Sequence, residues 1–66
     1  MNGTIKKVTK DRGFGFITAE DGVEYFFHQS ELRGGLTFAE LREGQRVSFE
    51  VAQSDKGPRA AEVHPA

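Results

Sequence analysis

The chain has no cysteine, no tryptophan and only 2 prolines, and no charge of one sign dominates it. Without cysteine there is no disulfide framework, which fits a reducing cytoplasm, the location expected for this protein. The 2 histidines, His28 and His64, stand far apart with no carboxylate cluster beside them, so neither a structural metal nor a cofactor is expected. No apolar run approaches the ~18 residues that a membrane helix needs. Met1-Asn2-Gly3-Thr4 leads straight into strand-like sequence, so neither a signal peptide nor a membrane partner is expected. There is no Ser-His-acid set, no Cys-His pair and no phosphate-cradling loop beyond isolated glycines, which argues against an enzyme and against a small-molecule substrate. At 66 residues the chain reads as one domain spanning 1–66. A domain of that size buries only about 60% of its unfolded surface and here lacks the usual staples.

What the sequence does contain is punctuation. Turn signals recur at Arg12-Gly13, Glu20-Asp21-Gly22, Gly34-Gly35, Glu43-Gly44 and Lys56-Gly57-Pro58. Between them lie short runs rich in β-branched and aromatic residues: 4–9, 14–18, 23–28, 46–51 and 59–63. This spacing predicts an all-β fold of five short antiparallel strands, closed into a barrel so that no edge is left bare. Asp21-Gly22 predicts a two-residue type I′ hairpin. In the fourth run, Val47, Phe49 and Val51 alternate against Arg46, Ser48 and Glu50, as in a half-buried strand. Helix is confined to one or two short turns. Thr37-Phe38-Ala39-Glu40 reads as a capping box ended by Gly44, and Ser30-Glu31-Leu32 as a second single turn.

The aromatic residues are more specific. Apart from Phe49 they fall at Phe14 and Phe16, at Tyr25, Phe26 and Phe27, and at Phe38. Residues two apart on a strand share a side. Pairing the second and third runs through Asp21-Gly22 sets Phe16 against the row of Phe26 and His28. Ile17 then points inward with Tyr25, Phe27, Val47 and Phe49, leaving Phe14, Phe16, Phe26 and His28 outside. An exposed aromatic cluster is a stacking platform for unpaired bases, at about 1–3 kcal/mol per base. Beside it runs a basic strip: Lys6, Lys7, Lys10 and Arg12 against Asp11 alone within residues 1–16. Phe38 keeps two readings open. Three residues before Leu41, it can tuck with it against the barrel, or it can clamp a base from its loop.

Arg12-Gly13-Phe14-Gly15-Phe16-Ile17 resembles the first RNA-binding motif of RRM domains, but an RRM needs two long helices under its sheet, and this chain has no such pattern. In an all-β setting the same hexapeptide points elsewhere. Together with Gly3-Thr4-Ile5-Lys6, Tyr25-Phe26-Phe27-His28-Gln29-Ser30, Glu43 to Val51 and Lys56-Gly57-Pro58-Arg59-Ala60-Ala61, it makes the chain similar to bacterial cold-shock proteins along essentially its full length.

That resemblance implies an OB-type barrel, low-selectivity binding of single-stranded RNA and DNA, and the work of an RNA chaperone or a regulator of transcription or translation. Residue by residue it carries the stacking positions to Phe14, Phe16, Phe26, His28 and Phe38, with Lys6 and Lys56 as backbone contacts. Lys7, Arg12 and Arg59 complete the expected set. The departures are also clear. Lys7-Val8-Thr9 stands where the family usually has Trp-Phe-Asn, and Gln29 where it usually has Phe, so three stacking side chains are missing. Tyr25 and Phe27 are large where small β-branched residues are usual, which reads as core filling. Two functions therefore compete: a monomeric, non-enzymatic single-strand binder, and a protein-interaction barrel that has largely given up nucleic acid.

Overall fold

The five sequence runs become five strands in a computed structural model, which describes residues 1–55 and 57–66. They are β1 (Asn2–Thr9), β2 (Phe14–Ala19), β3 (Glu24–His28), β4 (Arg46–Ser54) and β5 (Gly57–Pro65). Their order round the closed barrel is β1-β2-β3-β5-β4. The ladders are antiparallel except at the closure of β3 on β5, where Phe26 pairs with Arg59 in parallel.

Alternation decides which side chains fill this barrel. Ile5 of β1, Ile17 and Ala19 of β2, Tyr25 and Phe27 of β3, Val47 and Phe49 of β4, and Ala60 and Val63 of β5 are all buried, and Leu41 closes one end from the β3–β4 connection. Tyr25 meets Phe49 at 5.2 Å between ring centres, and Phe27 meets Phe38 edge-on at 6.5 Å. The two enlarged β3 residues are thus core, as the sequence suggested. The Tyr25 hydroxyl stays satisfied by donating to Asp21 Oδ2 at 3.0 Å. Burial, and then that hydrogen bond and the neighbouring carboxylate charge, hold the phenol above its ordinary pKa.

Five details depart from the sequence expectation. The β2–β3 turn is not type I′: Gly22 takes φ 84°, but Asp21 does not enter the left-handed region. The Gly22 N–H donates to Ala19 O and the Ala19 N–H to Val23 O, which makes a three-residue loop with its glycine at the left-handed position. Asp21 is held instead by its side chain, whose Oδ1 accepts the Val23 N–H at 2.9 Å. Val51 is not core: it is 41% exposed, because β1 pairs with β4 only at Arg46, Val47 and Ser48, leaving that flank uncovered further along.

The capping box forms only in part. Thr37 precedes a 3-10 turn at Phe38–Glu40, but its hydroxyl bonds the Glu40 carboxylate, not a backbone N–H. Gly44 does not end that turn; it donates to Ile5 O in a separate turn into β4. Lastly, β5 bulges beyond Ala61, with Glu62 at φ 50° and its N–H bonded to Glu31 Oε1. The second short turn, Gln29–Glu31, begins one residue earlier than expected.

Candidate nucleic-acid interface

The outer side of β1, β2 and β3 is built by register. Phe14 pairs with His28 and Phe16 with Phe26 across the β2–β3 hairpin, so all four point outward together. Three rings form a closed cluster: Phe14 to Phe16 at 6.1 Å, Phe14 to Phe26 at 5.4 Å and Phe16 to Phe26 at 6.0 Å, at tilted or edge-on angles. Each is half-buried, with its remaining surface open to solvent.

Gly15, between two of these phenylalanines, explains why a strand tolerates glycine there. A Cβ at Gly15 would lie 2.5 Å from the Lys7 carbonyl oxygen and 2.8 Å from the Phe27 ring. The missing side chain lets a large core aromatic fit directly beneath the outer cluster.

A bulge in β1 sets the cations. The register slips between Ile5 and Lys7, so Lys7 comes opposite Phe16 and Lys6 becomes the unpaired extra residue. Phe26 in turn pairs with Arg59. One cross-strand row therefore reads Lys7, Phe16, Phe26, Arg59: two aromatic rings bracketed by two cations. Neither the bulge nor this row is visible in the sequence, because both depend on which residue lies opposite which.

The expected residues thus separate. Lys7, Phe14, Phe16, Phe26, His28 and Arg59 are brought together. Lys6 is turned to Glu24, with which it forms an exposed ion pair. Arg12 lies in the turn that leads into Phe14, exposed and without a side-chain bond among the described residues. Arg59 also lies 3.8 Å from Glu31, a loose pairing that leaves it available. His28 does more than stand in its row: its Nδ1 accepts the Ser30 N–H at 3.1 Å and so caps the following 3-10 turn. That bond places the proton of the neutral ring on Nε2. Phe38 lies apart, packed on the core through Phe27 and half-buried. Lys56 lies outside the described residues.

Two features were missed by the sequence reasoning. An open groove lined by Phe26, Gln53, Ser54, Asp55 and Arg59 extends the aromatic cluster on the β5 side. Its polar residues carry no sequence motif and meet Phe26 only through the parallel closure of the barrel. Lys10, which belonged to the basic strip, is turned away from it and engages the β3–β4 connection instead. No group of three or more potential metal ligands occurs among the described residues.

The profile of the family described as 'Cold-shock' DNA-binding domain matches residues 1–66. The chain is 47% identical to Cold shock protein 2 of Lactiplantibacillus plantarum over 64 residues, covering 97% of this chain and 96% of that protein. It is 43% identical to Cold shock protein CspB of Geobacillus stearothermophilus, covering 96% of this chain and 94% of that protein. It is also 45% identical to Probable cold shock protein A of Mycobacterium tuberculosis, covering 92% of this chain and 91% of that protein.

Proposed function

The chain belongs to the cold-shock domain family, and from that premise we propose that it binds single-stranded RNA or DNA on the outer side of β1, β2 and β3 and does no chemistry on it. The observation that carries this reading is the Phe14, Phe16 and Phe26 cluster, with ring centres 5.4–6.1 Å apart, set between Lys7 and Arg59. Bases stack on the rings, and the cations at either end of the row take phosphates. Stacking is tolerant of sequence because every base has a π-face. The groove beside Phe26, with Gln53, Ser54 and Asp55, offers hydrogen-bonding partners to a base edge. Holding strands unpaired without altering them is what an RNA chaperone requires. On this reading the protein acts as one cold-shock-type domain and as a monomer in the cytoplasm.

Affinity is lower than a full set of aromatics would provide. Lys7 and Gln29 offer no ring, and Val8 is partly buried against the core. At about 1–3 kcal/mol per stacked base, two lost platforms weaken binding by one to several orders of magnitude. The test is anisotropy of a labelled pyrimidine oligonucleotide, single-stranded and duplex, at matched salt. We expect micromolar binding to the single strand and much weaker binding to the duplex. Nanomolar affinity would refute the weakening, and equal binding to both forms would refute the single-strand reading. No binding to either would leave the protein-interaction barrel.

A further inference from the structure

Lys10 lies just beyond β1, in the turn that leads to Arg12 and Phe14, yet its side chain reaches across to a segment about half the chain away. Its Nζ donates to the carbonyl oxygens of Phe38 at 2.7 Å, Ala39 at 2.6 Å and Leu41 at 3.2 Å. An ammonium has three N–H donors, and all of them go to one short stretch of backbone. The same nitrogen stands 5.6 Å from the centre of the Phe38 ring, within reach of a cation–π contact.

The connection that Lys10 grips has few other ties. Its ends are anchored where the Arg33 N–H donates to Val63 O and the Gly44 N–H to Ile5 O. Between them the backbone bonds are local: Leu36 to Arg33, Glu40 to Thr37, Leu41 to Phe38. Among the described residues, apart from the bonds of Leu36 to Arg33 and of Arg42 to Gln45 at its two ends, the hydrogen bonds that join Gly34–Glu43 to the rest of the barrel are those from Lys10. Apolar contact adds Leu41 in the core and Phe38 against Phe27. The ring of Phe38 is therefore set by two partners: Phe27 at one side and the Lys10 ammonium at another.

We propose that Lys10 is a positioning residue: it latches the β3–β4 connection to the β1–β2 turn and fixes Phe38 in one orientation for contact with a bound strand, without itself touching phosphate. The contact with a strand rests on the single-strand reading above; the latch itself does not. Two roles in one basic strip are thereby separated: Lys7 faces the ligand, and Lys10 holds the loop that carries an aromatic. Order fixed before binding need not be imposed by the ligand, which is how such a latch raises affinity.

The experiment compares wild type with Lys10→Met, which keeps the apolar stem and removes the donors, in both a wild-type and a Phe38→Leu background. In the free protein, amide hydrogen exchange at Glu40 and Leu41 is expected to speed up about tenfold in Lys10→Met, as loss of one or two net hydrogen bonds implies, while Phe27 and Phe49 are unchanged. For a single-stranded thymidine oligonucleotide, affinity is expected to fall about threefold to tenfold, the cost of ordering one or two more side chains on binding. The salt dependence should stay that of wild type, and Lys10→Met should have no further effect once Phe38 is Leu. Unchanged exchange at Glu40 and Leu41 would overturn the latch. A salt slope reduced by about 0.7 would overturn it differently, by making Lys10 a phosphate contact. If wild type fails to bind the oligonucleotide, the single-strand reading falls, and the exchange data alone decide the latch.

Discussion

The two sides of the β2–β3 hairpin carry similar material and do different things with it. Inward, Ile17, Tyr25 and Phe27 lie at 0%, 5% and 0% exposure against Val47 and Phe49. Outward, Phe14, Phe16 and Phe26 touch one another as closely as core rings do, yet keep a solvent-facing surface beside Lys7 and Arg59. Aromatic content does not distinguish core from site in this molecule. The pleat does, by sending neighbouring residues to opposite sides, and Gly15 does, by letting the Phe27 ring fit under the outer cluster. A chain this small has little interior, and the half-buried apolar cluster left outside it is what supports the proposed ligand face.

The largest effect expected from breaking this contrast is on the core. Phe27→Ala or Phe49→Ala should cost about 3–5 kcal/mol, comparable with the whole stability of such a domain, and thermal melting should show a largely unfolded protein. Phe16→Ala and Phe26→Ala should still melt cooperatively, near wild type, while losing measurable oligonucleotide binding. A Phe16→Ala protein that melts as early as Phe49→Ala would make the outer cluster core and erase the distinction. Gly15→Ala sharpens the same contrast from between the two sides. Its Cβ must displace the Lys7 carbonyl or the Phe27 ring, so denaturant titration should show a loss of about 1–3 kcal/mol.

These sides were not equally legible in the sequence. The strands, the inward row and the outward row follow from alternation, because side-chain direction on a strand is a local property. Features that depend on a partner strand or a distant loop were hidden. Nothing in Ile5-Lys6-Lys7 marks the bulge that sends Lys6 to Glu24 and Lys7 to Phe16. Nothing in Ala61-Glu62-Val63 announces a left-handed glutamate, whose N–H is satisfied by Glu31 from another element. Val51 alternates correctly and is exposed all the same, since β1 stops short of it. Asp21-Gly22 did mark the hairpin, but the Asp21 carboxylate, by bonding Val23 and Tyr25, selected a different turn.

Smaller effects follow from the charges. If Lys7 neutralises one phosphate, Lys7→Ala should reduce the slope of log K against log salt by about 0.7, as read from titrations at several salt concentrations. An unchanged slope would place Lys7 in solvent and shorten the row to its aromatic members and Arg59. On the inward side, the fold holds the Tyr25 proton more tightly than the unfolded chain does. That contribution is complete below the ordinary phenol pKa of about 10 and is lost as pH rises through the higher folded value. Stability should therefore decline above about pH 10 in wild type, and Tyr25→Phe should flatten that decline.

The central claim concerns location, and backbone chemical shifts recorded during titration with a short single-stranded pyrimidine oligonucleotide test it directly. The account predicts that the largest changes fall on Lys7, Phe14, Phe16, Phe26, His28 and Arg59, with little change at Glu50, Glu62 and His64 in the separate groove that those residues line with Arg33 and Gly34. Changes concentrated in that separate groove, with the aromatic row undisturbed, would contradict it.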